Sequence, residues 1–154
     1  MCYNSSKEVI IIYKSLKIKL LPTKEQELKM FQTIGVCRFV WNWGLAYSIK
    51  YYEENKKSIS GRKIRDEFTK IKYQEFSWIK EIGSKSYNNE FETLDIAFKR
   101  FFKKQSKFPK FKKKKDTRQS FYVRNDSINF NQIDCTLNIE KVGRVKYKSD
   151  RKIP

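Results

Sequence analysis

The spacing of apolar residues changes twice along this 154-residue chain, and that change constrains the fold most strongly. Near the start, Leu16, Ile18 and Leu20 alternate with polar residues, a pattern typical of a strand with one buried face. The long middle region has the three- and four-residue spacing of amphipathic helices. After Thr117 the alternation returns in short segments separated by turn residues. We therefore predict an α+β protein in which a helical bundle is inserted into a small, incomplete antiparallel β-barrel.

The middle region contains signals for several helix starts. Thr23 and Gln26 have the spacing of a capping box, and Ser60 and Ser84 are further N-cap candidates. Gly35 interrupts the first helical stretch, so we expect two helices joined there in a hairpin or helix-turn-helix. The clearest helical face, which we expect to pack in the core rather than stack on bases, is formed by Tyr87, Phe91, Leu94, Phe98 and Phe101.

Positive charge is concentrated in one short stretch. Eleven of the twenty residues from 99 to 118 are Lys or Arg, and Asp116 is the only acid among them. Lysines alternate there with Phe108 and Phe111, and Pro109 prevents a continuous helix. We predict an extended basic loop over residues 105–118. The net charge of +18 indicates a polyanionic partner, and nucleic acid is the usual one.

The residues themselves indicate no catalytic or metal centre. The chain has no histidine, its cysteines (Cys2, Cys37 and Cys135) are far apart, and its acids show no metal-clamp spacing. It also lacks a nucleophile elbow and a phosphate-binding glycine loop. We expect a binding protein that is not an enzyme and uses no cofactor, metal or small-molecule substrate.

A membrane surface is a weaker alternative partner. No stretch of the sequence approaches the roughly 18 apolar residues of a membrane span. The apolar run at residues 9–13 is also too short for the core of a signal peptide. We therefore expect a cytoplasmic protein with no membrane partner.

Several segments resemble, in the same order, the OrfB/TnpB family of transposon-encoded RNA-guided nucleases. The opening signature is Leu-Leu-Pro-Thr-Lys-Glu-Gln at residues 20–26 and Gly-Val-Cys-Arg-Phe-Val-Trp-Asn-Trp at residues 35–43. Later matches lie at residues 76–82, 94–102, 108–112, 119–121 and 142–146. Each match alone is weak, but the ordered set is specific and extends over residues 13–154.

The resemblance implies a division of the chain into three regions. Residues 1–21 and 119–154 would form a wedge-type β module, residues 22–104 a helical recognition domain with a helix-turn-helix-like start, and residues 105–118 the basic loop. In the family these parts hold a guide-type RNA and double-stranded target-adjacent DNA. A RuvC-like nuclease domain follows in full members and is absent from this sequence, so we expect a truncated protein that binds without cutting.

Two alternatives stay open. The chain could be the N-terminal piece of a complete RNA-guided DNA endonuclease whose metal-binding carboxylates lie beyond Pro154. It could also be an unrelated basic module that binds RNA or DNA.

The expected nucleic-acid-binding residues fall into two groups. Arg38 belongs to the opening signature, and the resemblance implies contacts to target-adjacent DNA near Gly61, Arg65, Lys85, Asn88, Arg124 and Asn125. The second group follows from charge density and would hold phosphates: Lys103, Lys104, Lys107, Lys110, Lys112, Lys113, Lys114, Lys115 and Arg118.

Overall fold

The computed structural model describes residues 15–115 and 119–149. These residues form three α-helices and one four-stranded antiparallel sheet, which confirms the α+β class. In chain order the elements are β1 (Lys19–Leu21), α1 (Lys24–Asn55), α2 (Gly61–Glu75), α3 (Ser84–Phe102), β2 (Ile128–Asn131), β3 (Thr136–Ile139) and β4 (Gly143–Lys148). Two short 3₁₀ helices lie at Ser77–Glu81 and Asn125–Ser127.

Side-chain caps fix the starts of two helices. The Thr23 hydroxyl accepts a hydrogen bond from the Gln26 amide at 3.3 Å, and the Gln26 side chain accepts one from the Thr23 amide at 3.0 Å. This is the predicted capping box. Ser60 caps α2 as predicted. The prediction for α3 is wrong by one residue, because Gly83 is its N-cap and Ser84 is already helical.

α1 is one continuous helix of 32 residues, so the predicted break at Gly35 is wrong. A glycine inside a helix costs about 1 kcal/mol relative to alanine, but it does not end the helix by itself. Val36, Cys37 and Val40 follow directly and are buried in the helical core, and that burial outweighs the cost.

The three helices pack around a single apolar core. Val40 and Leu45 of α1, Phe68 of α2 and Leu94 of α3 have no measurable exposure. The start of α2 approaches α3 most closely at Gly61, where an added Cβ would overlap the carbonyl oxygen of Phe91. Only glycine fits at that contact.

The sheet combines one strand that precedes the helical region in the sequence with three strands that follow it. Its strand order is β1-β4-β3-β2, and Leu20 of β1 lies opposite Tyr147 of β4. The helices are therefore inserted after the first strand, as predicted. Leu137, Ile139 and Val145 form a second core on one face. Within residues 15–115 and 119–149 the sheet is open, with β1 and β2 at its edges, as expected of an incomplete barrel.

Two strand predictions need correction. β1 has only three residues, so Leu16 and Ile18 precede it. Phe121 and Val123 begin the alternating pattern that follows Thr117, which predicts a strand, but they lie in an irregular segment. Phe121 packs against both the helical core and the sheet core. The segment therefore connects the two modules, and its apolar residues alternate because they contact those cores.

Candidate nucleic-acid interface

The basic loop is attached to α1 through its backbone. The Trp41 indole donates a hydrogen bond to the carbonyl oxygen of Lys110 at 2.9 Å. Asn42 accepts from the Lys112 amide at 2.8 Å and donates to the Lys112 carbonyl oxygen at 3.0 Å. Pro109 is buried. Residues 107–113 are thus extended and irregular, as predicted, but they have a fixed path across the helices.

Lys112 differs from the other lysines of the loop. Its Nζ lies 2.7 Å from Oε2 of Glu90, whose side chain is only 8% exposed. The same ammonium group lies 4.3 Å from the centre of the Trp41 ring. A buried carboxylate requires such a partner because an unpaired charge in the interior is strongly unfavourable. Lys112 therefore holds the loop in place.

The Cys37 thiol lies in the same interior region. Burial, with a smaller contribution from the nearby Glu90, raises the pKa of Cys37 to about 12. The thiol is therefore protonated and packs as an apolar group. Cys135 is exposed, and Cys2 lies outside the described residues.

Most other cations of the 99–118 stretch are exposed to solvent. The exposed lysines are Lys103, Lys104, Lys107, Lys110, Lys113, Lys114 and Lys115. All of these except Lys113 form no ion pair with the acids that the structure describes. Arg118 lies outside the described residues. Lysines on the helices, such as Lys50 and Lys70, are paired with a neighbouring glutamate. The loop and the end of α3 thus carry a surface of uncompensated positive charge.

A second cationic site lies where α3 meets the sheet module. Lys85 at the start of α3 pairs with Asp126 at 3.2 Å, and Arg124 approaches the same carboxylate at 3.8 Å. The hydrogen bond from Lys85 is the main cause of a lowered pKa for Asp126. Asn88 lies one turn after Lys85 on the same face of α3. Three of the residues implied by the family resemblance are therefore neighbours.

The other implied residues lie apart from this site. Arg65 is on α2 and pairs with Asp66 at 3.6 Å. Arg38 is half-buried on α1. Gly61 donates its amide to Asp95 at 3.1 Å and packs closely on α3, which gives it a structural role. Asn125 begins a 3₁₀ helix, and only its backbone is described.

The anchors of the loop are not among the residues predicted to form the site. Trp41 and Asn42 belong to the opening signature, which does not show what their side chains contact. A signal was available for Glu90, because it lies three residues after Tyr87 on the buried face of α3. An acid on a buried face predicts a cationic partner elsewhere in the chain.

Among residues 15–115 and 119–149, no three His, Cys, Asp or Glu side chains gather in positions that could hold a metal ion. No helix in that part of the chain is long and apolar enough to cross a membrane.

Comparison with known proteins confirms the resemblance noted above. Residues 12–57 match the family model of a helix-turn-helix domain of the OrfB (IS605) type. InsQ of Escherichia coli K12 is 28% identical over 141 residues, which are 91% of this chain and 35% of InsQ. A Streptomyces pristinaespiralis protein is 27% identical over 110 residues, which are 71% of this chain and 27% of that protein.

Both relatives carry the name of an RNA-guided DNA endonuclease. The chain spans about a third or less of the length of these curated relatives, with shares of 35% and 27%.

Proposed function

We propose that this chain, which resembles part of the RNA-guided DNA endonucleases, binds a guide-type RNA and double-stranded DNA. The observation that carries the proposal is the surface of exposed, uncompensated lysines on the basic loop and at the end of α3. Lysines in such a density repel one another unless a polyanion binds them. Phosphodiester backbones supply that charge at regular spacing.

The fixed path of the loop favours binding. Trp41 and Asn42 hold the loop backbone at Lys110 and Lys112, so the neighbouring ammonium groups are presented from one defined segment. A preorganised segment loses less conformational entropy on binding than a mobile tail. The ammonium group of Lys112 is bound to Glu90, whereas Lys110, Lys113, Lys114 and Lys115 are exposed, and we assign the phosphate contacts to these four exposed lysines.

The site around Asp126 supports a separate contact to duplex DNA. Lys85 and Arg124 can each contact phosphate or the major-groove edge of guanine, and Asn88 lies beside them. In the unbound chain Asp126 pairs with both cations, and its one negative charge compensates only part of their positive charge. DNA would displace this carboxylate, so Asp126 would disfavour weak, non-specific binding.

We also propose that the 154-residue chain binds without cutting, as the absence of histidine and of carboxylates with metal-clamp spacing in its sequence suggests. Incubation of plasmid and linear DNA with the purified chain, its copurified RNA and Mg²⁺ tests this point. We expect intact DNA, and metal-dependent cleavage would contradict the proposal.

Sequencing of RNA that copurifies with the chain tests the binding proposal. The test variant changes Lys110, Lys113, Lys114 and Lys115 to Ser and leaves the structural Lys112 in place. A control variant with the same loss of charge changes Lys24, Lys50, Lys70 and Lys80 to Ser.

We expect the loop variant to lose most of its RNA and the control variant to keep it. Equal losses in the two variants would mean that net charge alone attracts RNA and that the basic loop is not the site.

A further inference from the structure

A groove of about 680 Å³ lies between the C-terminal halves of α1 and α3. This volume is in the range of small-molecule sites and is large enough for one or two nucleobases. Its lining includes six aromatic residues: Tyr51, Tyr52, Phe98, Phe101, Phe102 and Phe108.

Three of these rings remain open to solvent. Tyr52 is 55% exposed, Phe102 is 61% exposed and Phe108 is 44% exposed. Phe108 packs in T-shaped geometry against Phe98 and Phe101, with ring centres 5.6 and 5.3 Å apart. The basic loop therefore holds Phe108 in a fixed orientation. A cluster of exposed apolar rings on a chain this strongly charged indicates a binding surface.

A lysine follows the end of each of the two helices that line the groove. Lys56 follows α1 with φ 52°, and Lys104 follows α3 with φ 58°. This left-handed conformation is the one in which helices usually have glycine, because a side chain is strained there. At both positions the chain has a lysine instead. Such strain is commonly retained where the side chain has a function.

The charged residues that line the groove balance one another, and the excess positive charge lies on lysines that are within two residues of lining residues in the sequence. Lys99 pairs with Asp95 at 2.7 Å, and the Gly61 amide also donates to that carboxylate. Glu53 and Lys63 also line the groove. Lys103 and Lys107, together with Lys56 and Lys104, form no ion pair with the acids that the structure describes.

We propose that this groove binds unpaired nucleotides of a single-stranded polynucleotide. The bases stack on Tyr52, Phe102 and Phe108, while Lys56 and Lys104 contact the flanking phosphates. A duplex gains nothing from these rings because its bases are already stacked on one another. The inference rests on the proposed nucleic-acid binding and specifies a separate site that selects for strandedness.

Binding of the full chain to short oligonucleotides tests the inference. The probes are fluorescein-labelled oligo(U), oligo(dT) of the same length and a blunt duplex, with affinity measured by fluorescence anisotropy. The test variant carries Tyr52→Leu and Phe102→Leu, which keep apolar side chains and remove the aromatic faces. The control variant removes two exposed rings elsewhere, with Phe31→Leu and Tyr73→Leu.

We expect the test variant to bind the single strands about ten times more weakly than the parent chain does and to bind the duplex with unchanged affinity. The control variant should bind all probes like the parent chain. A 2-aminopurine base in the single strand should lose fluorescence on binding the parent chain, because stacking quenches it, and should keep it with the test variant. Comparison of oligo(U) with oligo(dT) shows whether RNA or DNA is the better ligand.

Several results would overturn the inference. If the parent chain binds the duplex but not the single strands, the groove assignment fails and the proposed function stands. Failure to bind any probe at low salt would remove both. Equal weakening for duplex and single strands would mean that the rings only support the fold. If the parent chain forms a dimer, the test variant is a monomer and the two bind oligonucleotides equally well, the groove binds a second copy of the chain instead.

Discussion

Lysines in this chain have two different physical roles, and a lysine's role depends on whether it pairs with a buried acid. Lys112 compensates a nearly buried carboxylate, whereas Lys110 is exposed and unpaired among the described residues. The charge run alone could not show this difference. The residue that distinguishes Lys112, Glu90, is 22 positions away in sequence.

Replacement of Lys112 by Met should lower the free energy of unfolding by about 2–3 kcal/mol, because Glu90 is left buried without a partner. This value is below the full cost of breaking a buried pair because the Lys112 side chain is 39% exposed. Chemical denaturation measures the change. Lys110→Met is the matched control and should stay within about 0.5 kcal/mol of the parent chain.

Adding Glu90→Leu to Lys112→Met should recover much of the lost stability, since an apolar pair no longer leaves a buried charge. Equal effects of Lys112→Met and Lys110→Met would contradict the structural role of Lys112.

Lys104 illustrates a conflict between stability and binding at a single residue. The Lys104 amide donates a hydrogen bond to the Phe101 carbonyl oxygen, and the Gln105 amide donates one to the Arg100 carbonyl oxygen. α3 therefore ends in a Schellman motif, in which the position of Lys104 is usually a glycine. We expect Lys104→Gly to stabilise the chain by about 0.5–1 kcal/mol.

Thermal unfolding and anisotropy with oligo(U) together check the Lys104 variant. The midpoint of unfolding should rise while affinity for the single strand falls. A variant that is more stable and binds equally well would show that Lys104 does not contact the ligand.

At the scale of elements, α1 is the main difference between expectation and structure. The matched region, residues 12–57, is described as a helix-turn-helix, yet its described part consists of β1 and one unbroken helix that ends at Asn55. The turn between helices comes later, between Asn55 and Gly61. α1 therefore acts as a long support, with β1 before it, the core along one face and the aromatic groove at its C-terminal end.

Two glycines test this arrangement because the same substitution should have opposite effects. At Gly35 the nearest atom to an added Cβ is Nη2 of Arg38 at 3.9 Å, so Gly35→Ala should stabilise α1 by about 0.5–1 kcal/mol. At Gly61 the Cβ would overlap the backbone of Phe91, so Gly61→Ala should destabilise the chain by about 3 kcal/mol.

Urea denaturation of the two variants measures the change in the free energy of unfolding that each substitution causes. If Gly35→Ala destabilises the chain, a functional bend at Gly35 would be indicated and the continuous α1 would be wrong. A neutral Gly61→Ala would mean that α2 and α3 lie farther apart than described.

The elements that the sequence predicted correctly are those set by local chemistry. Thr23 and Gln26 accept hydrogen bonds from each other's backbone amides within the first turn of α1, and Ser60 caps α2 in a similar way. The spacing of these residues in the sequence was therefore enough to predict both helix starts. The break at Gly35 was wrong because tertiary burial of Val36 and Val40 overrode a weak local preference.

The candidate site was predictable only in part for a similar reason. The charge of the loop was evident from the sequence, but its path depends on Trp41 and Asn42, which are about 70 residues away. The aromatic groove was also missed. Phe98 and Phe101 fit the helical core pattern, and nothing local shows that Phe102 and Tyr52 remain exposed at the end of that core.

At the scale of the whole molecule, two modules share one chain in a discontinuous way. β1 pairs with β4 across the entire helical region, and Gln26 at the start of α1 donates to the Arg144 carbonyl at 2.6 Å. The sheet and the helices are thus joined at the start of α1, at Phe121 and at Lys85 with Asp126. Positive charge lies on the loop that connects them, and this is the surface on which we place the polynucleotide.

The salt dependence of the affinity for duplex DNA shows whether the basic loop binds phosphates. If about six phosphates are neutralised, the logarithm of affinity should fall against the logarithm of salt concentration with a slope of about −5. Changing Lys110, Lys113, Lys114 and Lys115 to Ser should flatten that slope by about 3–4, because each phosphate contact contributes about −0.9. An unchanged slope in that variant would mean that these four lysines do not contact phosphates, which would contradict the placement of the polynucleotide on the basic loop.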